Sequence, residues 1–317
     1  MRNDEFGRGR AAYLSPNAVS RMKRLSRFFA VALIGAALPG RADQAPATPL
    51  TAPALEHAYR VTDRLLSGGQ PVGDAAFEEL ARLGVKTIVS VDGAKPDVAA
   101  ARKHGLRYVH LPIGYDGVPA ERVAQLTRAA ALPDGRIFVH CHHGNHLGPA
   151  AVAVMCAAVA GWSPTRAEAW LRQAGTADEY AGLFRAAREF QPPSAAALTR
   201  VGELPEVAKT PALVDAMVAL DECFDLLKAG QKSGWKATPA DAATLLWEQL
   251  RELARTDDTA RRPADYRTHL ADSERSAELL RRHLRATPPD PAALDAAFKT
   301  AAQSCVACHK AFRNAKK

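Results

Sequence analysis

The sequence predicts an α/β domain with a central, mainly parallel sheet, followed by an all-α four-helix bundle. Two patterns carry that expectation. Over residues 55–195 short β-branched or aromatic runs alternate with helical stretches, the order from which parallel sheets are built. Over residues 205–317 the strand-like runs stop and four amphipathic helices follow one another. The length of 317 residues agrees with two domains at ~100–200 residues each.

In the first region, residues 86–91, 107–111 and 136–140 read as strands, being short and β-branched or aromatic. Helical stretches lie between them near 74–83, 96–104 and 119–131. Residues 43–54, rich in Pro and Ala, read as a tether, and residues 196–204, just after the Gln-Pro-Pro-Ser run, as a linker. In the second region the first helix carries Leu213, Met217, Leu220, Phe224 and Leu227 on one stripe. The second starts at Thr238 as N-cap with Pro239 at the first helical position, and shows Leu246, Leu250 and Leu253. The third carries Tyr266, Leu270, Ala277, Leu280 and Leu284. The fourth starts at Asp290 and Pro291 and shows Leu294, Phe298 and Ala301.

Residues 1–42 read as a leader. Arg21, Lys23, Arg24 and Arg27 precede an apolar run over 28–38, and Gly40 and Ala42 hold the small positions of a cleavage site. The run is shorter than the ~20 apolar residues that span a bilayer. A cleaved signal peptide therefore predicts a periplasmic or secreted protein, not an integral membrane protein after processing; an uncleaved anchor is the alternative. Met22 would give a more ordinary signal start than Met1. The leader also accounts for the charge. It holds six of the net +8, so a chain cleaved after Ala42 keeps about +2. With no basic run interleaved with aromatics in the remainder, nucleic acid is not an expected partner.

Five cysteines are present, and only two share a motif. Cys305, Cys308 and His309 form Cys-x-x-Cys-His, the spacing of c-type haem attachment. Residues three and four apart share a helix face. Two thiols so placed can add to the two vinyl groups of one porphyrin, with His309 as proximal iron ligand. A zinc site wants a second ligand pair, which His269 and His283 do not make. Export fits, because bacteria attach c-type haem outside the cytoplasm.

The stretch SCVACHKAFRNAKK closing a four-helix region resembles the cytochrome c′ and c-556 family over the last third of the chain. The resemblance implies one covalent haem, with Phe312 and Arg313 in its environment. It also implies a first helix that covers the other haem face, offering methionine or an apolar residue. Met217 is the only methionine there, either a distal iron ligand or core filler. Electron transfer with a redox partner, binding of a small haem ligand, and a homodimer through the bundle are the corresponding expectations.

A second motif lies in the α/β region. Cys141 follows a strand and precedes a helix expected to open at Pro149. A thiol at such a turn meets backbone N–H groups at a helix N-terminus, which lowers a cysteine pKa and binds anions. The run His140, Cys141, His142, His143, Gly144, Asn145, His146, Leu147, Gly148 resembles the signature loop of cysteine-dependent protein tyrosine and dual-specificity phosphatases. By that resemblance Cys141 takes the nucleophile position and Asp116 the general acid position, with Asp92 and Asp97 as rivals. The sequence departs from the family at one decisive place: its arginine position is Leu147. A guanidinium grips two phosphoryl oxygens, and leucine offers neither donors nor charge. Losing one preorganised donor costs ~10²–10³ in rate. Three readings follow: a pseudophosphatase that binds a phosphorylated ligand or protein, a weak phosphatase, or a metal or redox site built from the four histidines and the thiol. Cys156 and Cys223 fall in apolar helical stretches, as core residues do.

Overall fold

A computed structural model describes residues 46–236 and 239–314. The expected leader lies outside them, as does the expected N-cap Thr238. Among the described residues no helix is long and apolar enough to cross a membrane.

The α/β part holds six strands: β1 (Thr48–Pro49), β2 (Tyr59–Arg60), β3 (Leu65–Gly68), β4 (Val85–Ser90), β5 (Arg107–His110) and β6 (Arg136–His140). Their order is β1-β2-β3-β6-β4-β5. The pairings β3·β6, β6·β4 and β4·β5 are parallel, whereas β1·β2 and β2·β3 are antiparallel, so the sheet is mixed. Helices α1 (Asp74–Arg82), α2 (Val98–Lys103), α3 (Ala120–Ala130), α4 (Leu147–Ala160), α5 (Pro164–Gln173) and α6 (Ala181–Arg188) cover it. Period-2 alternation sorts the strand side chains. Leu65, Val89, Val109, Ile137 and Val139 pack with residues of α3 to α6, while Leu66, Ile88, Tyr108 and Phe138 pack with α1 and α2. Burial of both faces is why these strands read as nearly continuous apolar runs.

Two connections differ from expectation. Residues 46–54 are not a free tether: β1 pairs with β2, and Ala47 and Ala52 are buried. Residues 196–204 are not a loose linker either. They begin within α7 (Ala195–Arg200), and Leu204 joins the core beneath the sheet. Further on, Pro205 O accepts from His110 N at 2.8 Å, and Ala208 N donates to His110 Nδ1 at 3.1 Å. The segment is strapped along β5 because it satisfies that edge strand's buried polar groups.

The remainder is helical: α8 (Ala212–Lys232), α9 (Ala240–Ala254), the short α10 (Asp257–Arg261), α11 (Ala264–Arg285) and α12 (Pro291–Cys308). One apolar core joins the four long helices through Leu220, Leu227, Leu246, Leu250, Leu270, Leu280, Leu294 and Phe298. Asp290 caps α12 by accepting from Ala292 N, with Pro291 at its start. Pro239 is the residue before α9 rather than its first helical residue. Helix α8 also meets the α/β part. A Cβ on Gly93, just past β4, would stand 2.2 Å from Val214 Cγ1, so only glycine admits this approach.

Leu204→Ala tests the strap. Leu204 is 5% exposed, and truncating it should cost about 2–4 kcal/mol in denaturant unfolding; a loss within about 0.5 kcal/mol, as at a surface site, would show that the segment is loosely held.

Candidate functional site

The carboxyl ends of parallel strands are where open α/β sheets bind ligands. Strand β6 ends at His140, and the chain turns through residues 141–146 into α4. Helix α4 begins at Leu147, two residues before the expected Pro149. Proline costs nothing there, because first-turn N–H groups have no intrahelical partner. Gly144 adopts φ +77°, and a Cβ on it would fall 2.5 Å from the Gly68 backbone. That contact and the hydrogen bond from Gln70 N to His142 O at 2.9 Å press the loop against the end of β3.

The loop closes around Cys141, whose sulfur receives hydrogen bonds from the backbone N–H groups of Gly144, His146 and Gly148. These donors cradle an anion. The thiol is nevertheless not activated. Burial pushes Cys141 up, further than the three N–H groups pull it down, and the nearby Asp92 charge adds to the rise. The lowered pKa expected from the motif is thus corrected by the depth of the site. Leu147 is 5% exposed and its side chain joins the core of the α/β part.

The histidines separate by environment. His140 is buried and pushed down to about 3 by burial. Its Nδ1 faces Cys141 O at 3.3 Å, so its Nε2 accepts from the Tyr108 hydroxyl at 3.2 Å. His146 is pushed down by burial and lies against Tyr180, ring centroids 4.6 Å apart. His142 behaves oppositely. Burial lowers it, but a hydrogen bond to Asp225 and the charges of Asp221, Asp225 and Asp92 outweigh that and raise it. His142 Nε2 lies 2.9 Å from Asp225 Oδ2. His143 is exposed, its ring centroid 4.2 Å from that of His142. Asn145 O accepts from Thr176 Oγ1 at 2.7 Å. The third reading, a site built from the thiol and all four histidines, does not form: among the described residues His142 and His143 converge with Asp221, without Cys141, His140 or His146.

Asp116 stands on the loop after β5 with its side chain exposed, and its carbonyl accepts from Arg185 Nη2 at 2.7 Å. The rival Asp97 caps α2 by accepting from Ala100 N at 2.9 Å. Asp92, just past β4, is 8% exposed and accepts from Ala94 N at 2.8 Å. Burial holds its carboxyl up at about 6, so it keeps a proton into the range where a general acid works.

A second constellation sits at the end of α12. Cys305 and Cys308 are both unpaired and half-buried, and His309 opens a π-helical turn over His309–Arg313. Cys305 lies beside the hydroxyls of Ser304 and Ser273, and burial pushes its thiol up. Two free thiols three residues apart and an adjacent imidazole suit covalent attachment of a macrocycle and axial ligation of its metal. Met217 is half-buried against the helical core, one turn before Asp221 on α8. Phe312 packs edge-on to Tyr266 and His269 at 5.2 and 5.6 Å. Arg313 turns the other way: its guanidinium lies 4.4 Å from the Tyr115 ring centre, and Nη2 donates to the Tyr180 hydroxyl at 3.2 Å. Tyr115 and Tyr180 belong to the α/β part, so both α8 and the π-turn reach the rim of the Cys141 loop. No sequence signal pointed to Asp221, Asp225, Tyr115 or Tyr180, which lie tens of residues from their partners.

No family model matches the chain. Over 152 aligned residues, 46% of this chain, it is 30% identical to the dual specificity protein phosphatase TpbA of Pseudomonas aeruginosa, covering 69% of that protein. Over 94 residues, 27% of this chain, it is 32% identical to the beta-lactamase hydrolase-like protein of Xylella fastidiosa, of whose length it spans 22%. A solved structure of a TpbA cysteine-to-serine variant in complex with phosphotyrosine matches at 25% identity, covering 49% of this chain and 95% of that one, with a TM-score of 0.40.

The Asp92 environment predicts a pH-dependent stability. Its carboxyl stands at about 6 in the fold against an ordinary 3.8, so its ionisation above pH ~6 destabilises the folded state and protonation below pH ~4 removes that cost. Asp92→Asn should therefore gain on the order of 2 kcal/mol at pH 8 and nothing near pH 4, read by thermal unfolding; an equal gain at both pH values would contradict a perturbed carboxyl.

Proposed function

The chain belongs to the dual-specificity protein phosphatase family, and from that premise we propose that it is an exported monohaem c-type cytochrome whose phosphatase-like domain is catalytically impaired. The observation that carries the haem reading is the pair of unpaired thiols, Cys305 and Cys308, set against His309 at the end of α12. In this reading each thiol adds its S–H across one vinyl group, forming two thioether bonds. His309 would hold the iron, and Met217 is the candidate for a second iron ligand. The bound group supplies one-electron chemistry or an open position for a small ligand. A redox partner or a small haem ligand is the expected counterpart.

For the phosphatase-like domain, the impairment rests on Leu147 and on Cys141 together. A buried leucine replaces the charged fork, and the thiol is held neutral by burial. The three N–H donors still form an anion cradle, so binding of a phosphorylated ligand without turnover is the expected residual behaviour.

A second reading, an active phosphatase modulated by its haem domain, is favoured by one observation. Arg313, four residues after His309, places its guanidinium against Tyr115 and Tyr180 at the loop rim. A cation from the helical part thus stands near a loop whose arginine position is Leu147.

Two measurements separate the readings. Full-length protein matured in the periplasm should retain haem through denaturing electrophoresis, and Cys305→Ser with Cys308→Ser should abolish it; wild type without covalent haem would remove the cytochrome reading. Aryl-phosphate hydrolysis should be equal in wild type and Cys141→Ser. Wild type faster than Cys141→Ser would establish the second reading, and loss of that excess in Arg313→Ala would tie it to the helical part.

A further inference from the structure

Two imidazoles and a carboxylate from distant parts of the chain converge at the rim of the Cys141 loop. His142 and His143 come from the loop and Asp221 from α8, and one ligand atom of each lies within 4.8 Å of the others. His142 Nε2 stands 3.9 Å from Asp221 Oδ2 and 2.9 Å from Asp225 Oδ2. Asp225 is one turn beyond Asp221 on the same face of α8, so a second carboxylate is already in place.

We propose that His142, His143 and Asp221, with Asp225 as the fourth donor, bind one divalent cation of the zinc class. The chemistry selects that class: imidazole nitrogens with carboxylate oxygens suit zinc, whereas magnesium and calcium demand oxygen shells. The geometry is close. Donors ~2.0–2.2 Å from zinc stand ~3.4 Å apart in a tetrahedron, so closure needs roughly 1 Å of movement, and His143 and Asp221 are both exposed side chains free to make it. The electrostatics agree, since Asp92, Asp221 and Asp225 surround His142 with negative charge. The cation displaces the proton from His142 Nε2 and neutralises that charge.

The site differs from a metal centre built on the loop alone. Cys141 lies beneath the loop, His140 is bound to Tyr108, and His146 lies against Tyr180. The missing ligands come from α8, about eighty residues away in sequence. A cation there joins the loop to the helical part and sets two positive charges beside the loop whose arginine position is Leu147. Neither consequence depends on haem attachment.

Zinc alone, titrated calorimetrically into the full chain carrying Cys305→Ser and Cys308→Ser, tests the site without the competing thiol pair. One equivalent should bind, and His143→Ala and Asp221→Asn should each weaken it at least tenfold while the far-ultraviolet circular dichroism is unchanged. Absence of a zinc equivalent overturns the proposal. So does an equivalent that survives both substitutions, or one sensitive to His143→Ala but not to Asp221→Asn, which is a loop histidine pair without α8.

Discussion

The turn from β6 into α4 is the constraint on which the rest of the molecule depends. Six residues reverse the chain between a buried strand and a buried helix. The N–H groups of Gly144 and His146 within the turn, with that of Gly148 in the first turn of α4, donate to the Cys141 sulfur, and Gly144 takes a left-handed φ against the Gly68 backbone. That arrangement is an anion cradle by construction, whatever follows it in the chain. Occupancy of the next position decides its chemistry. With leucine there, the side chain turns into the core and stabilises α4, and the cradle keeps its donors without a counter-charge of its own.

Burial sets the protonation states that follow. The same depth that shields the loop holds Cys141 and Asp92 up and His140 and His146 down, so each of the four is moved toward its neutral form. His142, at the rim and paired with Asp225, is instead moved toward its charged form. Charge is thus concentrated where the helical part meets the loop. Asp221 and Asp225 arrive from α8, and Arg313 arrives from the turn after α12 to lie on two tyrosines, a contact worth ~0.5–2 kcal/mol.

Local chemistry was legible in the sequence wherever it was local. The parallel strands β4, β5 and β6 announced themselves as short β-branched runs, and the N-cap Asp290 with Pro291 marked the start of α12. Strands β1 and β2 are two residues each, too short for any period, and Pro49 within β1 read as tether. The 196–204 segment read as linker because only Leu204 within it enters the core, and the contacts that hold the chain just beyond it are backbone groups of Pro205 and Ala208 to His110, which leave no composition signal. The Cys141 loop was visible from its residue order alone. Its depth was not, so the expected low thiol pKa gave way to a raised one. Asp116 was placed by position in a resemblance, whereas the burial that raises the Asp92 carboxyl is a property of the packed end of β4. The cation cluster was invisible because each half is an ordinary sequence: histidines in a loop, acids on an amphipathic helix.

The central claim is that the loop is fully formed yet holds its thiol buried and neutral. Alkylation of Cys141 by iodoacetamide in the full chain, followed peptide by peptide across pH 6–9, measures this directly. The account predicts that Cys141 reacts far more slowly than an unfolded cysteine throughout, comparably to Cys156 inside α4. Rapid alkylation of Cys141 near pH 6, while Cys156 stays protected, would contradict it and show an accessible thiolate instead.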